Sequence, residues 1–532
     1  MNPSQGHSNS AFEEKETSVK SNEHEREEDS PSATKDRPRP SSPSGNLERD
    51  SSDRTDSDVK ARRITQYLAA TAACLGATCS GTVMGFSAPA GPQLIQNASD
   101  FMHNDNDTNN VLMLTSVEYS WFSSLPNLAA AVVGPLAGLA MNKIGRRGTL
   151  LASVVPFVTG WLLICLAGDL WTLLAGRLIT GFTMGTMSVV CPTFIGEFAT
   201  PDVRGLLGSE FQLFATIGLL GVYVVGSAVE WRVLAGSCVS VPLLFGLATL
   251  FIPESPSFLL QKGQGSKAQK ALRWYRGSDY DVEAELQATK KSLEELQAGG
   301  KVGLSGLGRP YILRPLLISL GLMSFQQLCG INAILFNANT IFKDSGSGMD
   351  QDASSMVVGA TQVLGTLVAS FLVDRTGRKV LLLMSSVVMT LALAALGAYF
   401  LLKDQDPDFA TSALGWLPLA GLVVFILAFS LAFGPIPWLM MGELFPRDAR
   451  EITGSLASAF NWSLSFVVTL AFLPLQEAIG SAAVYWMFGG VCVLSFIFCV
   501  SVVPETKGRT LEEITLMFSG SAKETDKPDI QI

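Results

Sequence analysis

Long apolar runs alternate with short polar ones from Tyr67 onward, and the chain before that point is almost wholly polar. A helix that crosses a bilayer needs about 20 predominantly apolar residues, since the hydrocarbon core is about 30 Å thick and a helix rises about 1.5 Å per residue. Twelve segments meet that length: 66–90, 119–141, 148–167, 170–193, 206–228 and 232–252, then 314–338, 354–373, 380–402, 414–441, 453–475 and 481–503. Bilayer lipid offers no water to satisfy peptide groups, so these runs are predicted as helices. The pattern therefore predicts an all-α polytopic membrane protein of twelve spans in two six-helix bundles. Between the sets, 261–308 is too charged to span, and two stretches within it, 266–276 and 281–297, have helical composition. The expected domains are a polar tail (1–63), a first bundle (64–252), linker helices (253–312), a second bundle (313–503) and a C-terminal tail (504–532).

Charge adds orientation. Only 16% of the residues are charged, against about a quarter in an average soluble domain. The formal net charge of −9 comes mainly from tails and loops and points to no acidic or basic ligand, nucleic acid included. Lys143, Arg146, Arg147, Arg204, Arg375, Arg378, Lys379, Arg447, Arg450, Lys507 and Arg509 all fall on the side of the N-terminal tail, whereas 91–118 contains no Lys or Arg. The positive-inside rule then puts both termini in the cytoplasm. The opposite loop carries Asn97-Ala-Ser99 and Asn106-Asp-Thr108, two glycosylation acceptor patterns. A third, Asn461-Trp-Ser463, sits inside a span, out of reach of glycosyl transfer. The polar N-terminus does not read as a cleavable signal, so the first span is expected to target the chain. All eight Cys fall in spans and read as small apolar packing residues. The three His lie outside the spans, and neither a metal site, a cofactor site nor a catalytic constellation is expected.

The halves repeat one another. Asn142-Lys-Ile-Gly-Arg-Arg147 is matched by Asp374-Arg-Thr-Gly-Arg-Lys379 after the second span of each half. Glu197 through Arg204 is matched by Glu443 through Arg450, and Pro253-Glu-Ser-Pro256 by Pro504-Glu-Thr-Lys507. A duplicated six-span unit is a transporter architecture with its site between the halves. Each motif places Arg or Lys beside a carboxylate at one membrane edge, where both can pair between helix ends. Gly145 and Gly377 allow tight turns there. Ion pairs confined to one side can hold that side shut and break as the halves rock.

With these motifs the chain resembles the sugar porter family of the major facilitator superfamily over residues 64–515. The resemblance rests on Gly145-Arg-Arg147, Gly176-Arg177, Glu197 with Arg204-Gly205, Pro253-Glu-Ser-Pro256, Gln326-Gln-Leu-Cys-Gly-Ile-Asn332, Asp374-Arg-Thr-Gly-Arg378, Gly434-Pro-Ile-Pro-Trp438 and Pro504-Glu-Thr-Lys-Gly-Arg509. Val357-Val-Gly-Ala-Thr-Gln362 and the stretch from Phe433 to Glu443 bring it nearest to class III facilitative glucose transporters and insect trehalose facilitators. The resemblance implies a gating network of Arg146, Arg147, Arg177, Glu197, Arg204, Glu254, Asp374, Arg378, Glu443, Arg450 and Glu505. Two departures, Asn142 in place of an acid and Ser257 in place of Arg, imply a weakened latch in the first half.

A sugar offers hydroxyls that both donate and accept around a partly apolar body, so an uncharged site wants amides and an aromatic face. Polar side chains inside spans are costly and by default functional. The resemblance implies sugar contacts at Gln212, Gln326, Gln327, Asn332, Gln362, Asn461 and Trp438. Gln326 and Asn332 are six apart, about 240° around a regular helix, so Gly330 between them is expected to break it. Gly434, Pro435 and Pro437 are expected to break the tenth span into a mobile gate. Phe336, Asn337 and Ser430 depart from the residues of related glucose transporters at the gate and site edge.

Proton coupling needs a titratable group in the path. Ser87 stands where related proton-coupled porters carry Asp, which leaves Glu210 as the one acid within a span. The expected activity is uniport of a hexose such as glucose by alternating access, with a trehalose facilitator or proton-coupled symporter as alternatives and a non-transporting sugar sensor from another class. Expected partners are the sugar and the lipid bilayer, the protein acting as a monomer in the plasma or an endosomal or lysosomal membrane.

Overall fold

The computed structural model describes residues 62–95, 112–278, 280–298, 304–346, 350–446, 449–509 and 511–519. The N-terminal tail up to residue 61 and the acceptor residues Asn97 and Asn106 lie outside them, as do residues 520–532. Among the described residues, twelve helices are long and apolar enough to cross a membrane. In order they are Arg63–Leu94, Ser116–Ile144, Arg146–Cys165, Leu170–Phe198, Pro201–Gly226 and Trp231–Leu250, then Pro310–Phe336, Gln351–Thr376, Arg378–Gln405, Leu417–Leu444, Ile452–Ile479 and Ser481–Ser501. They are called the first to twelfth spans below. Each overlaps its predicted segment, and most run further into the polar motifs. The fifth begins at Pro201, where a proline costs no hydrogen bond because the first helical N–H has no partner in any case.

Outward faces are apolar: Leu139 and Val155 are 67% and 69% exposed, as lipid contact requires and water would penalise. Inward faces pack closely through small residues. Gly81 and Gly218 let the first and fifth spans meet at backbone distance, and Gly181 and Gly185 do the same between the fourth and second. The halves touch where the second span lies along the eleventh and the fifth along the eighth.

Two spans are broken where the sequence predicts it. In the seventh, one helix ends at Leu328, Gly330 takes φ 87°, and a new helix runs Ile331–Phe336. Only glycine adopts that φ without a Cβ clash. In the tenth, helix Leu417–Leu431 stops and Ile436–Leu444 resumes. Pro435 and Pro437 supply no N–H to the helical ladder, so the carbonyls of Leu431 and Phe433, four residues before them, lose their helical donors, and Gly434 O lies in the same break.

Between the sixth and seventh spans lie short helices Pro256–Gln261, Gly265–Arg276 and Val282–Ala298. They are fastened to the first half. Tyr275 stacks on Phe198 at 4.7 Å. Arg276 donates to Phe198 O at 2.7 Å and pairs with Glu285 at 2.6 Å.

Candidate functional site

The repeated motifs build the same object twice. Gly145 and Gly377 turn the chain at φ 89° and 92°, and each exposes the first amides of the following span. Glu254 accepts from the N–H groups of Arg146 and Arg147, both at 3.0 Å. Glu505 accepts from those of Arg378 (3.1 Å) and Lys379 (3.0 Å). A carboxylate at a helix N-terminus satisfies orphan donors and meets the positive end of the helix dipole. The neighbouring cation reaches to the C-terminal end of the sixth or twelfth span: Arg147 donates to Thr249 O and Leu250 O, and Lys379 to Val500 O. Arg146 pairs with Glu197 at 2.7 Å and Arg378 with Glu443 at 2.9 Å. The second oxygen of each carboxylate accepts from Ser255 or Thr506. Arg378 also pairs with Asp374 at 3.0 Å, whereas the equivalent Asn142 is exposed and forms no ion pair.

Burial raises the Glu505 carboxyl, but the N–H groups of Lys507, Arg378 and Lys379 outweigh it and leave the pKa below its ordinary value. A depressed pKa contributes stability that is present above the unfolded pKa and lost as pH falls through the folded one. Melting of the detergent-solubilised protein is therefore expected to shift with this group only on acidification below about pH 4. Glu505→Gln should abolish that part of the acid sensitivity, and an unchanged acid limb would refute the role.

These pairs differ from the expectation in one respect. Each joins helix ends within one half, so in this conformation they hold a bundle together and do not bridge the two. Arg204 and Arg450 likewise donate to nearby carbonyls, Ala199 O and Gly442 O. Arg177 needs a larger correction, because it lies about 31 Å of helix from Phe198, near the end remote from the glycine turns. It is fully buried, and donates to Phe122 O (3.0 Å), Val83 O (2.9 Å) and Ser87 Oγ (2.8 Å). Its guanidinium also sits 4.8 Å from the Phe122 ring centroid. A fixed five-donor fork suits three acceptors on two helices, so Arg177 ties the first span to the second and takes no part in the latch.

Four of the amides meet in one buried network. Asn332 donates to Gln327 Oε1 at 2.8 Å, and Gln327 to Asn461 Oδ1 at 3.0 Å. Asn461 donates to Gln326 Oε1 at 2.7 Å, and Gln326 to Phe433 O (2.6 Å) and Gly434 O (3.1 Å). The break at Gly330 swings Asn332 back to Gln327, a pairing a continuous helix forbids. Gln326 in turn fastens the seventh span to the carbonyls freed by the break in the tenth. Asn332 also donates to Ser465 Oγ at 2.7 Å, a residue the motifs did not single out. The arrangement is uncharged, rich in both donors and acceptors, and suited to neutral polyhydroxyl ligands. Gln362 is buried on the eighth span with Oε1 unpartnered. Gln212 and Trp438 are partly exposed and their side chains hydrogen-bond to no other described residue, so neither joins the network.

The halves close on each other at the end remote from the glycine turns. Tyr223 donates to Leu335 O at 2.6 Å, and Tyr119 to Ser87 O (2.8 Å) and Phe336 O (3.4 Å). Both tyrosines belong to the first half and grip the last carbonyls of the broken seventh span. They supply aromatic hydroxyls beside Phe336 and Asn337, which have none. At the turn end Arg204, Gly205, Leu206, Asp374, Arg375 and Thr376 are exposed.

The sequence profile of the family described as "Sugar (and other) transporter" matches residues 69–518. The facilitated trehalose transporter Tret1 of Culex quinquefasciatus is 40% identical over 86% of this chain and 87% of its own length. That of Polypedilum vanderplanki is 39% identical over 86% and 89%. The longer Tret1 of Drosophila virilis is 41% identical, with 49% of its length matched. Among solved structures, the xylose transporter XylE from E. coli in a partially occluded inward-open conformation superposes with a TM-score of 0.68 at 23% identity, covering 84% of this chain and 99% of that one. XylE bound to 6-bromo-6-deoxy-D-glucose gives 0.66 at 25% identity, covering 85% and 99%. With twelve spans in two six-helix bundles and a family match over most of its length, the chain belongs to the sugar porter family of the major facilitator superfamily.

Proposed function

We propose that this protein is a facilitative carrier of a neutral sugar that works by alternating access, with trehalose ahead of glucose as its substrate. The observation that carries the reading is the network of Gln326, Gln327, Asn332 and Asn461 at the break of the seventh span. It offers amide donors and acceptors with no formal charge. Trehalose comes first because the relatives at about 40% identity are named for it, and the sequence reading had put glucose there. The glycine-turn end is assigned to the cytoplasm from its Lys and Arg, which makes this conformation inward-facing.

Uniport is supported by Ser87. Where the resemblance places Asp in coupled porters, a hydroxyl accepts from Arg177, so the buried cation has a partner that cannot titrate. Glu210 remains as the acid to test, half-buried on the fifth span with Oε2 lacking a hydrogen-bond partner. The experiment is counterflow of labelled trehalose and glucose in proteoliposomes, with and without an imposed pH gradient. Labelled uptake that the pH gradient leaves unchanged is the expected result. Accumulation driven by acid outside and abolished by Glu210→Gln would replace uniport with symport, and binding without flux would make the protein a sensor.

A further inference from the structure

The eleventh span carries Asn461, Ser465 and Thr469 at intervals of four residues, which places them on one face over about 12 Å of helix. Asn461 at the inner end of this stripe binds Gln326 and Gln327, and Ser465 in the middle binds Asn332. At the outer end Thr469 Oγ1 accepts from Asn127 Nδ2, on the second span in the opposite half, at a long 3.4 Å. Asn127 is fully buried, and its Oδ1 has no hydrogen-bond partner. Buried amide oxygens are nearly always bonded, so an orphan facing a polar stripe across the interface calls for a ligand-side explanation. The neighbouring Ser120, Ser123 and Ser124 do not offer the same, because each donates to a carbonyl of its own helix.

We propose that Asn127, with Thr469 and Ser465, forms a subsite for the second ring of a disaccharide whose first ring is held by the amides around Asn461. The stripe is longer than one pyranose ring needs and continues from the amide network without a gap. The opposing half must also contribute a contact. A ligand shifts a two-state equilibrium only through contacts that differ between the states, and a sugar touching the second half alone would bind alike before and after the halves close. Asn127 provides a contact made only on closure. Its free oxygen accepts from a sugar hydroxyl, and that hydroxyl or a neighbour donates to Thr469 or Ser465 in place of the long amide–hydroxyl bond.

The inference rests on the sugar-carrier reading, and counterflow separates the two. Full-length protein in proteoliposomes is assayed with trehalose and with glucose as wild type, Asn127→Ala and Thr469→Val, and the quantity read is the ratio of the two half-saturation concentrations. Each variant is expected to raise the trehalose-to-glucose ratio by about fivefold, the scale of one lost neutral hydrogen bond. A ratio unchanged in both variants overturns the subsite, whatever happens to total flux. Wild-type protein that carries glucose but not trehalose overturns it too, while leaving the carrier intact. Wild-type protein that carries neither removes the carrier reading itself. Thr469→Val keeps the side-chain shape, so it decides the matter if Asn127→Ala fails to fold.

Discussion

Gly330→Ala is expected to abolish sugar counterflow and to lower stability by about 2–5 kcal/mol. Two costs combine. The φ of 87° puts any L-residue in the left-handed region, and an added Cβ would meet the Phe488 ring at 2.5 Å. Either the ring moves or the break straightens. Straightening rotates Asn332 away from Gln327 and Ser465, and the amide network loses one corner. A double variant separates the two costs. Phe488→Leu added to Gly330→Ala relieves the overlap but not the backbone strain, so stability should recover in part while flux stays absent. Wild-type flux in the single variant would show that the seventh span does not need its break.

Glu197→Ala is expected to destabilise the protein by about 3 kcal/mol, and clearly more than Glu443→Ala. The two glutamates hold equivalent places, but the arginines they leave behind differ. Arg146, with 8% of its side chain exposed, would lose its one carboxylate side-chain partner, and its Nη1 is already unpartnered. Arg378 would keep Asp374 at 3.0 Å, although that carboxylate is 71% exposed and worth less for it. Thermal denaturation of solubilised protein measures both. Equal losses would mean that Asp374 contributes nothing. A third variant, Asn142→Asp, should give Arg146 the same i, i+4 partner and soften the Glu197→Ala loss.

Much of this was legible in the sequence for simple reasons. Span number follows from hydrophobic length, and the broken seventh and tenth spans follow from a glycine between misaligned amides and from two prolines. The latch motifs announced which residues belong together but not how they are joined. Nothing in Gly-Arg-Arg says that the glutamate binds backbone amides while Arg147 reaches carbonyls, because those groups belong to every residue. Arg177 was grouped with the latch by resemblance alone, and the three backbone and hydroxyl oxygens it binds leave no mark in a motif. Tyr223 and Asn127 were invisible because their partners lie over 100 positions away, as does the Phe336 carbonyl that Tyr119 reaches across the halves, and a single tyrosine or asparagine in a span carries no period. Gln212 and Trp438, assigned by resemblance, stand outside the amide network in this conformation.

On the proposed sugar-binding role, the self-satisfied state of the amides would set the pace of transport. Gln326, Gln327, Asn332 and Asn461 already bond to one another and to the carbonyls of the tenth span, so an arriving sugar exchanges hydrogen bonds and adds few. The net gain per bond would then be small and residence brief. Weak holding with quick release is what a high-throughput carrier needs when its substrate is abundant. If Gln326 binds sugar as proposed, the donor it lends is the one that fastens the broken tenth span, so each passage would loosen that joint and each release remake it.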